Sequence, residues 1–243
     1  MQKYPDKINL SRDMNIRYAR QNFTNLIHTN ARFEGINTTL PQTQTIIDGL
    51  GVSGVSVDDI NTIVDLKHGW QYITETDNKF DLNVAKHINK LVAARDSLDP
   101  GEFRTGTGGV DIGESDMFTP EPVNIDREKE YLGKVLNSDS SHTDKALTIM
   151  FHNMRSQMFW DGNKRTSTIF ANKYMIDHGV GLINVPLNHW AEFNEKLTKF
   201  YKTNDMADIK DWAYNVAIQT PQLGLDRSSE LTKRFLNQNG LER

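Results

Sequence analysis

Gln157-Met-Phe-Trp-Asp-Gly-Asn-Lys-Arg165-Thr-Ser167 is the stretch on which the reading of this chain turns. Upstream of it, Ser141-His-Thr-Asp144 has the form of a capping box, and Leu147, Met150, Phe151, Met154 and Met158 follow as an apolar stripe at helical spacing. Downstream, helical pattern resumes at about Lys164 and runs to His178, with Gly179 as the closing residue. The stretch is therefore a short polar loop opening onto a helix N-terminus. The first N–H groups of such a helix have no internal partners, and its dipole favours negative charge there. Gly162 lets the backbone approach a ligand. Asn163, Lys164 and Arg165 add donors and two positive charges at the same point. This is the composition of an anion site, with phosphate as the natural occupant. Asp161 beside an anion makes sense as a Mg²⁺ ligand, because that ion binds through one or two carboxylates plus substrate phosphates; otherwise Asp161 caps the helix.

Outward from the loop the periodicity is helical almost throughout. Ser11 heads a first helix with Ile16, Ala19, Phe23, Leu26 and Ile27 on one face. A turn-like stretch from Glu34 to Pro41 leads to a short helix around Gln42 to Gly49. Ser56–Asp59 reads as another capping box, with Gly69 as the stop of its helix, and Asp81 starts the next one. Residues 99–124 break the pattern. They are dense in Gly and Pro, and a short hairpin with Val110 and Ile112 as its apolar positions fits only here. Helices resume at about Ile125. Later stripes run through Phe193, Leu197 and Phe200, then Ile209, Trp212 and Val216. The reading is one domain over 1–243: a lead-in over 1–50, a core over 51–215 and a helical tail over 216–243.

Composition narrows the function classes. The 243 residues carry a net charge of -4, which argues against a general nucleic-acid binder. There are no cysteines, so disulfides and thiolate metal sites are excluded. The N-terminus is charged from the start, with no apolar run like a signal peptide, and no stretch approaches the ~20 apolar residues that span a bilayer. A cytoplasmic location is expected.

At the loop the sequence resembles the Fic/Doc family, whose members carry H-x-F-x-D/E-G/A-N-G/K-R between two helices of an all-α core. Phe159, Asp161, Gly162, Asn163, Lys164 and Arg165 match in order. Residues 100–112, PGEFRTGTGGVDI, look like the family's flap hairpin, and the stretch from Ala31 to Pro41 looks like the N-terminal inhibitory segment of one class. The resemblance implies a Fic-type helical bundle with a β-hairpin flap at 100–113 and AMP transfer from ATP to a protein hydroxyl. It implies Asp161 on Mg²⁺, Gly162, Asn163 and Lys164 as the anion hole, Arg165 on the outer phosphates, and Phe159 as the loop's anchor. It further implies Glu34 as the inhibitory carboxylate and a target protein aligned along Thr105, Gly109, Val110 and Ile112.

The departures are as informative. Gln157 stands where the family's histidine takes the proton from the attacking hydroxyl. Glutamine can orient a hydroxyl but cannot accept its proton, and loss of a positioned base costs about 10²–10⁴-fold in rate. His152 is five residues away, about 140° around the helix; His178, His189 and His28 lie further off in the sequence. Thr168 replaces the arginine that partners the inhibitory glutamate in the family, and Asn30 stands where a Ser or Thr is usual. Glu34 is then left to face Lys164 or Arg165, or is a structural remnant. Lys164 resembles the Doc branch, which transfers phosphate instead of AMP. The expectation is a transferase fold with impaired or altered activity, the alternatives being a non-catalytic nucleotide- or protein-binding module and Doc-like phosphorylation.

Overall fold

Helix starts follow the capping residues. The structure, a computed structural model of the chain, describes residues 3–112 and 117–222. In order these form α1 (Arg12–Gln21), α2 (Phe23–Ala31), α3 (Leu40–Ile47), α4 (Val57–Glu75), α5 (Leu82–Val92), β1 (Val110–Asp111), β2 (Met117–Phe118), α6 (Ile125–Leu136), α7 (His142–Ser156), α8 (Asn163–Asp177), β3 (Leu182–Ile183), α9 (Trp190–Thr203), α10 (Ala207–Val216) and β4 (Ile218–Gln219). The side chains of Ser11, Ser56, Asp81 and Ser141 each accept a backbone N–H of the first turn they precede. The fold is an all-α bundle with a short β-hairpin, as expected.

α8 is the axis of the bundle. It is buried on nearly every side and packs against α1, α4, α5 and α7. A helix so enclosed must satisfy its polar side chains internally. Ser167 and Thr168 donate to the carbonyls one turn back, at 2.6 and 2.9 Å. Asn172 grips Ile183 of β3 through both its amide atoms, at 2.9 Å each. One apolar cluster, built on α1, α2, α4 and α5, lies against α8; a second, built on α7, α9 and α10, lies against it as well. Gly179 closes α8 in a left-handed conformation (φ 68°), with its N–H on Ile176 and that of Val180 on Met175. A Cβ at Gly179 would fall 1.8 Å from the Leu10 carbonyl oxygen, so glycine is required where the N-terminal arm crosses.

Four boundaries differ from the sequence expectation. The first helix is two: Asn22 interrupts it, its side chain donating to the Tyr18 carbonyl at 2.8 Å in competition with the helix ladder. Gly69 does not end its helix, because α4 runs on to Glu75. Its small size serves packing instead, since a Cβ there would meet Val92 at 2.5 Å. The hairpin reaches beyond 113: Val110 pairs with Phe118 and Asp111 with Met117, so the return arm lies outside the expected 100–113. The expected helical tail contains a strand, Ile218–Gln219, paired with β3; the rest of that tail, 223–243, lies outside the described residues, as does position 113 of the flap.

Candidate active site

α7 ends at Ser156, and Gln157 turns the chain in a left-handed conformation (φ 47°, ψ 55°). Gln157 and Asn204 are the two non-glycine residues with positive φ among those described, a conformation found where surrounding contacts hold it. The loop is then stitched at three points. Phe159 is 3% exposed, its ring 5.3 Å from that of Phe103, and the two residues form a backbone bridge. The Asn163 side chain closes the loop on itself, accepting from the Phe159 N–H at 2.9 Å and donating to its carbonyl at 2.8 Å. Asn89, fully buried on α5, donates to the Asp161 carbonyl at 2.9 Å and to Thr166 at 3.1 Å while accepting from Gly101 at 2.9 Å.

These bonds present an open helix terminus. Gly162 is the N-cap of α8 (φ 70°), with no side chain capping the helix, so the first-turn N–H groups face outward. A Cβ at Gly162 would sit 2.7 Å from that of Ala93. Asp161 is half-exposed and accepts the Gly162 N–H through Oδ1. Lys164 is partly exposed, and its side chain makes no hydrogen bond or ion pair with any described residue. An unshielded cation beside unsatisfied N–H groups suits an anion of high charge. Among the described residues no group of three His, Asp or Glu can hold a metal by itself. Asp161 fits a cation that takes its remaining ligands from phosphate and water, which is the habit of Mg²⁺.

Arg165 is held differently from the expectation of a phosphate grip. Its guanidinium is fully buried and donates to the Val92 carbonyl at 2.6 Å and to Asp96 at 2.9 Å. Glu34 lies 2.7 Å from Nε, as an ion pair rather than an aligned hydrogen bond, and Asp161 lies 3.6 Å from Nη2. Glu34, on the 3₁₀ turn Arg32–Glu34 that ends α2, thus has a partner despite Thr168, which is buried and bonded to Lys164's carbonyl. Burial pushes the Glu34 carboxyl above its ordinary value, against the pull of Arg165; Asp161 and Asp96 add to the rise, and Lys164 opposes it.

The Gln157 side chain is 8% exposed and already committed: Nε2 donates to the Met154 carbonyl at 2.5 Å and to the Tyr201 hydroxyl at 3.4 Å. Among the described residues, Tyr201 and the histidines nearest the loop in sequence are engaged elsewhere. Burial raises the Tyr201 hydroxyl's pKa far above neutrality, and that hydroxyl donates to Met154's carbonyl at 2.9 Å. Nε2 of His152 faces Glu128 at 2.6 Å and Ser156 at 3.1 Å, and its ring stacks on Tyr131. His28 bonds Thr43, His189 bonds Glu192, and His178 stacks on His142.

The flap approaches this loop through one residue that sequence reading did not single out. Arg104, 4% exposed, donates to the Gln157 carbonyl at 2.6 Å, to Gly106 at 2.7 Å and to the Glu121 carbonyl. Of the expected flap positions, Thr105 and Gly109 are exposed and Val110 and Ile112 half-buried. Ile112's carbonyl is fixed to Thr198 on α9 at 2.9 Å.

Helical bundles of this kind occur in known proteins. Residues 79–175 match the model of the Fic/DOC family. Within those residues the chain matches a Fic domain. It is 24% identical over 200 residues to the protein adenylyltransferase Fic of Drosophila willistoni, an alignment that covers 79% of this chain. It spans 39% of that relative's length. Among solved structures it resembles Fic-1 (residues 134–508) from C. elegans, with TM-score 0.69 and 16% identity over 81% of this chain and 60% of that one. A Fic family protein from Desulfovibrio desulfuricans G20 gives 0.68 and 16%, covering 82% and 63%. A Fic domain containing signaling protein from Bacteroides thetaiotaomicron VPI-5482 gives 0.69 and 13%, covering 82% and 79%. At such identities these likenesses establish the fold. No helix among the described residues is long and apolar enough to cross a membrane.

Proposed function

We propose that this protein binds ATP at the α8 N-terminus and transfers AMP to a protein hydroxyl at a rate limited by the missing base. The observation that carries this reading is the contrast within one loop: an uncapped helix end with free Lys164 and half-exposed Asp161, beside Gln157, whose amide is tied to Met154 and Tyr201. The adenylyltransferase name of the Drosophila willistoni relative supports AMP as the group transferred. Gly162 admits the phosphates, and the first-turn N–H groups and Lys164 hold their charge. Asp161, together with the phosphates, would hold Mg²⁺, which would supply further charge neutralisation. Gln157 orients the attacking hydroxyl once its side chain swings from Tyr201; as the hydroxyl oxygen bonds the α-phosphorus, the bond to the β-phosphate breaks and pyrophosphate leaves, and the proton passes to solvent instead of to an imidazole.

Glu34 sets the availability of the site. While it and Asp96 hold Arg165, that guanidinium is not free for phosphate. The test uses ATP labelled on either the α- or the γ-phosphate, with Mg²⁺, lysate and the wild-type and Glu34→Gly forms. Transfer of the α label, greater with Glu34→Gly, supports the proposal. Transfer of the γ label alone makes Lys164 the mark of a phosphotransferase. If calorimetry finds no ATP binding by either form, the site is not a nucleotide site.

A further inference from the structure

A cavity of about 610 Å³ opens beside the return arm of the flap, walled by α6, the end of α7 and the end of α9. Ser156 and Met158, the neighbours of Gln157 on either side, both line it. Its charged groups are not evenly matched. Arg127 pairs with Glu121 at 2.7 Å and lies 3.7 Å from Glu128, which also takes His152 at 2.6 Å. Arg155 has no carboxylate within ion-pair distance among the described residues. Its Nε donates to the Tyr201 carbonyl at 3.1 Å, and its guanidinium lies 4.8 Å from the centre of the Phe118 ring. Burial lowers its pKa, with Glu121 pulling the other way, as expected of a cation whose surroundings compensate it poorly.

A half-buried arginine on an aromatic face, with two N–H-bearing nitrogens to spare, is built to receive a planar anion. Glu121 and Glu128 share the cavity wall, so a doubly charged phosphate would be repelled more strongly than a singly charged carboxylate, which Arg155 alone can balance. The floor is the flap's return arm, Phe118 to Val123, continuous with the surface on which the proposed target would lie. We infer that this cavity takes an aspartate or glutamate side chain of the target segment, with Arg155 as its counter-charge. The inference rests on the reading of the flap as a target-docking element. Arg155 precedes Gln157 by two residues, so the recognised carboxylate belongs within a few residues of the modified hydroxyl. The protein would then select hydroxyls in acidic surroundings.

The test is binding, read separately from transfer. Fluorescence anisotropy compares the full chain, without nucleotide, on a short serine peptide with glutamate two residues from the serine and on its glutamine twin. A charge-assisted bond of this kind predicts on the order of tenfold tighter binding of the glutamate form. Arg155→Gln, which keeps a donor for the Tyr201 carbonyl, is expected to abolish that preference, and Arg155→Glu to reverse it. Equal affinity of wild type for the twins, or no binding of either, overturns the inference, and this arm needs no variant to fold. Free glutarate displacing the peptide at the peptide's own concentration would assign the cavity to a small anion instead. Because α-label transfer is assayed independently, peptide discrimination without transfer would fault only the catalytic reading, and transfer without discrimination only the acidic preference.

Discussion

Replacing Arg104 by methionine is expected to loosen the flap and the loop together, because one guanidinium holds both. The side chain is 4% exposed and bonds three backbone carbonyls, on Gln157, Gly106 and Glu121, and no carboxylate. Methionine fills the aliphatic volume but leaves all three acceptors without a donor. The bond to Gln157 is buried, so its loss costs the full penalty for a charge-assisted bond, about 2–3 kcal/mol. The other two are partly exposed and water can replace them, at about 1 kcal/mol each. The sum is about 4–5 kcal/mol. For a chain of this length it lowers the melting temperature by roughly 10 °C. Thermal and urea melts of wild type, Arg104→Met and Arg104→Lys measure this directly. Lysine retains one donor group and should fall between the other two. A methionine variant that melts within about 2 °C of wild type would refute the view that Arg104 couples flap to loop.

Three further outcomes follow from the same geometry. Gly162→Ala meets both a positive φ and a Cβ contact of 2.7 Å with Ala93; it should destabilise the fold by roughly 2 kcal/mol and weaken ATP binding, seen by denaturant melt and calorimetry. Because the Glu34 pKa is raised, its folded form binds a proton more tightly than the unfolded chain does, so its share of stability is greatest below the ordinary carboxylate value and declines as pH rises through the folded value. Protonation also weakens the hold on Arg165, so ATP affinity should rise as pH falls through the raised carboxyl value in wild type, with a flatter profile in Glu34→Gln, measured by calorimetry across pH. Asp161→Asn should remove the Mg²⁺ dependence of ATP binding while metal-free binding persists, read in titrations with and without EDTA.

What the sequence made legible was local. Serine and aspartate caps announce helix starts because their short side chains bond the N–H groups a few residues on, and Gly179 announces an end because only glycine accepts that φ without strain. The loop from Gln157 to Arg165 was legible for the same reason. Its partners were not. Asn22 carries no Gly or Pro signal, yet its bond to Tyr18 breaks a helix that the apolar stripe continues through. Gly69 looks like a stop until Val92 and Ile169 are seen against it. Asn89 and Arg104 organise the site through carbonyls far along the chain, and nothing in their neighbours marks them. The pairing of Glu34 with Arg165 likewise depends on where the 3₁₀ turn after α2 falls against α8.

The central claim is that Gln157 removes the proton acceptor from a site otherwise able to hold nucleotide. It is tested most directly by α-label transfer to protein under saturating ATP, comparing Glu34→Gly with Glu34→Gly/Gln157→His. Restoring a positioned base should raise the rate by about 10²–10⁴-fold at unchanged ATP affinity. Equal rates at equal ATP affinity would contradict the account.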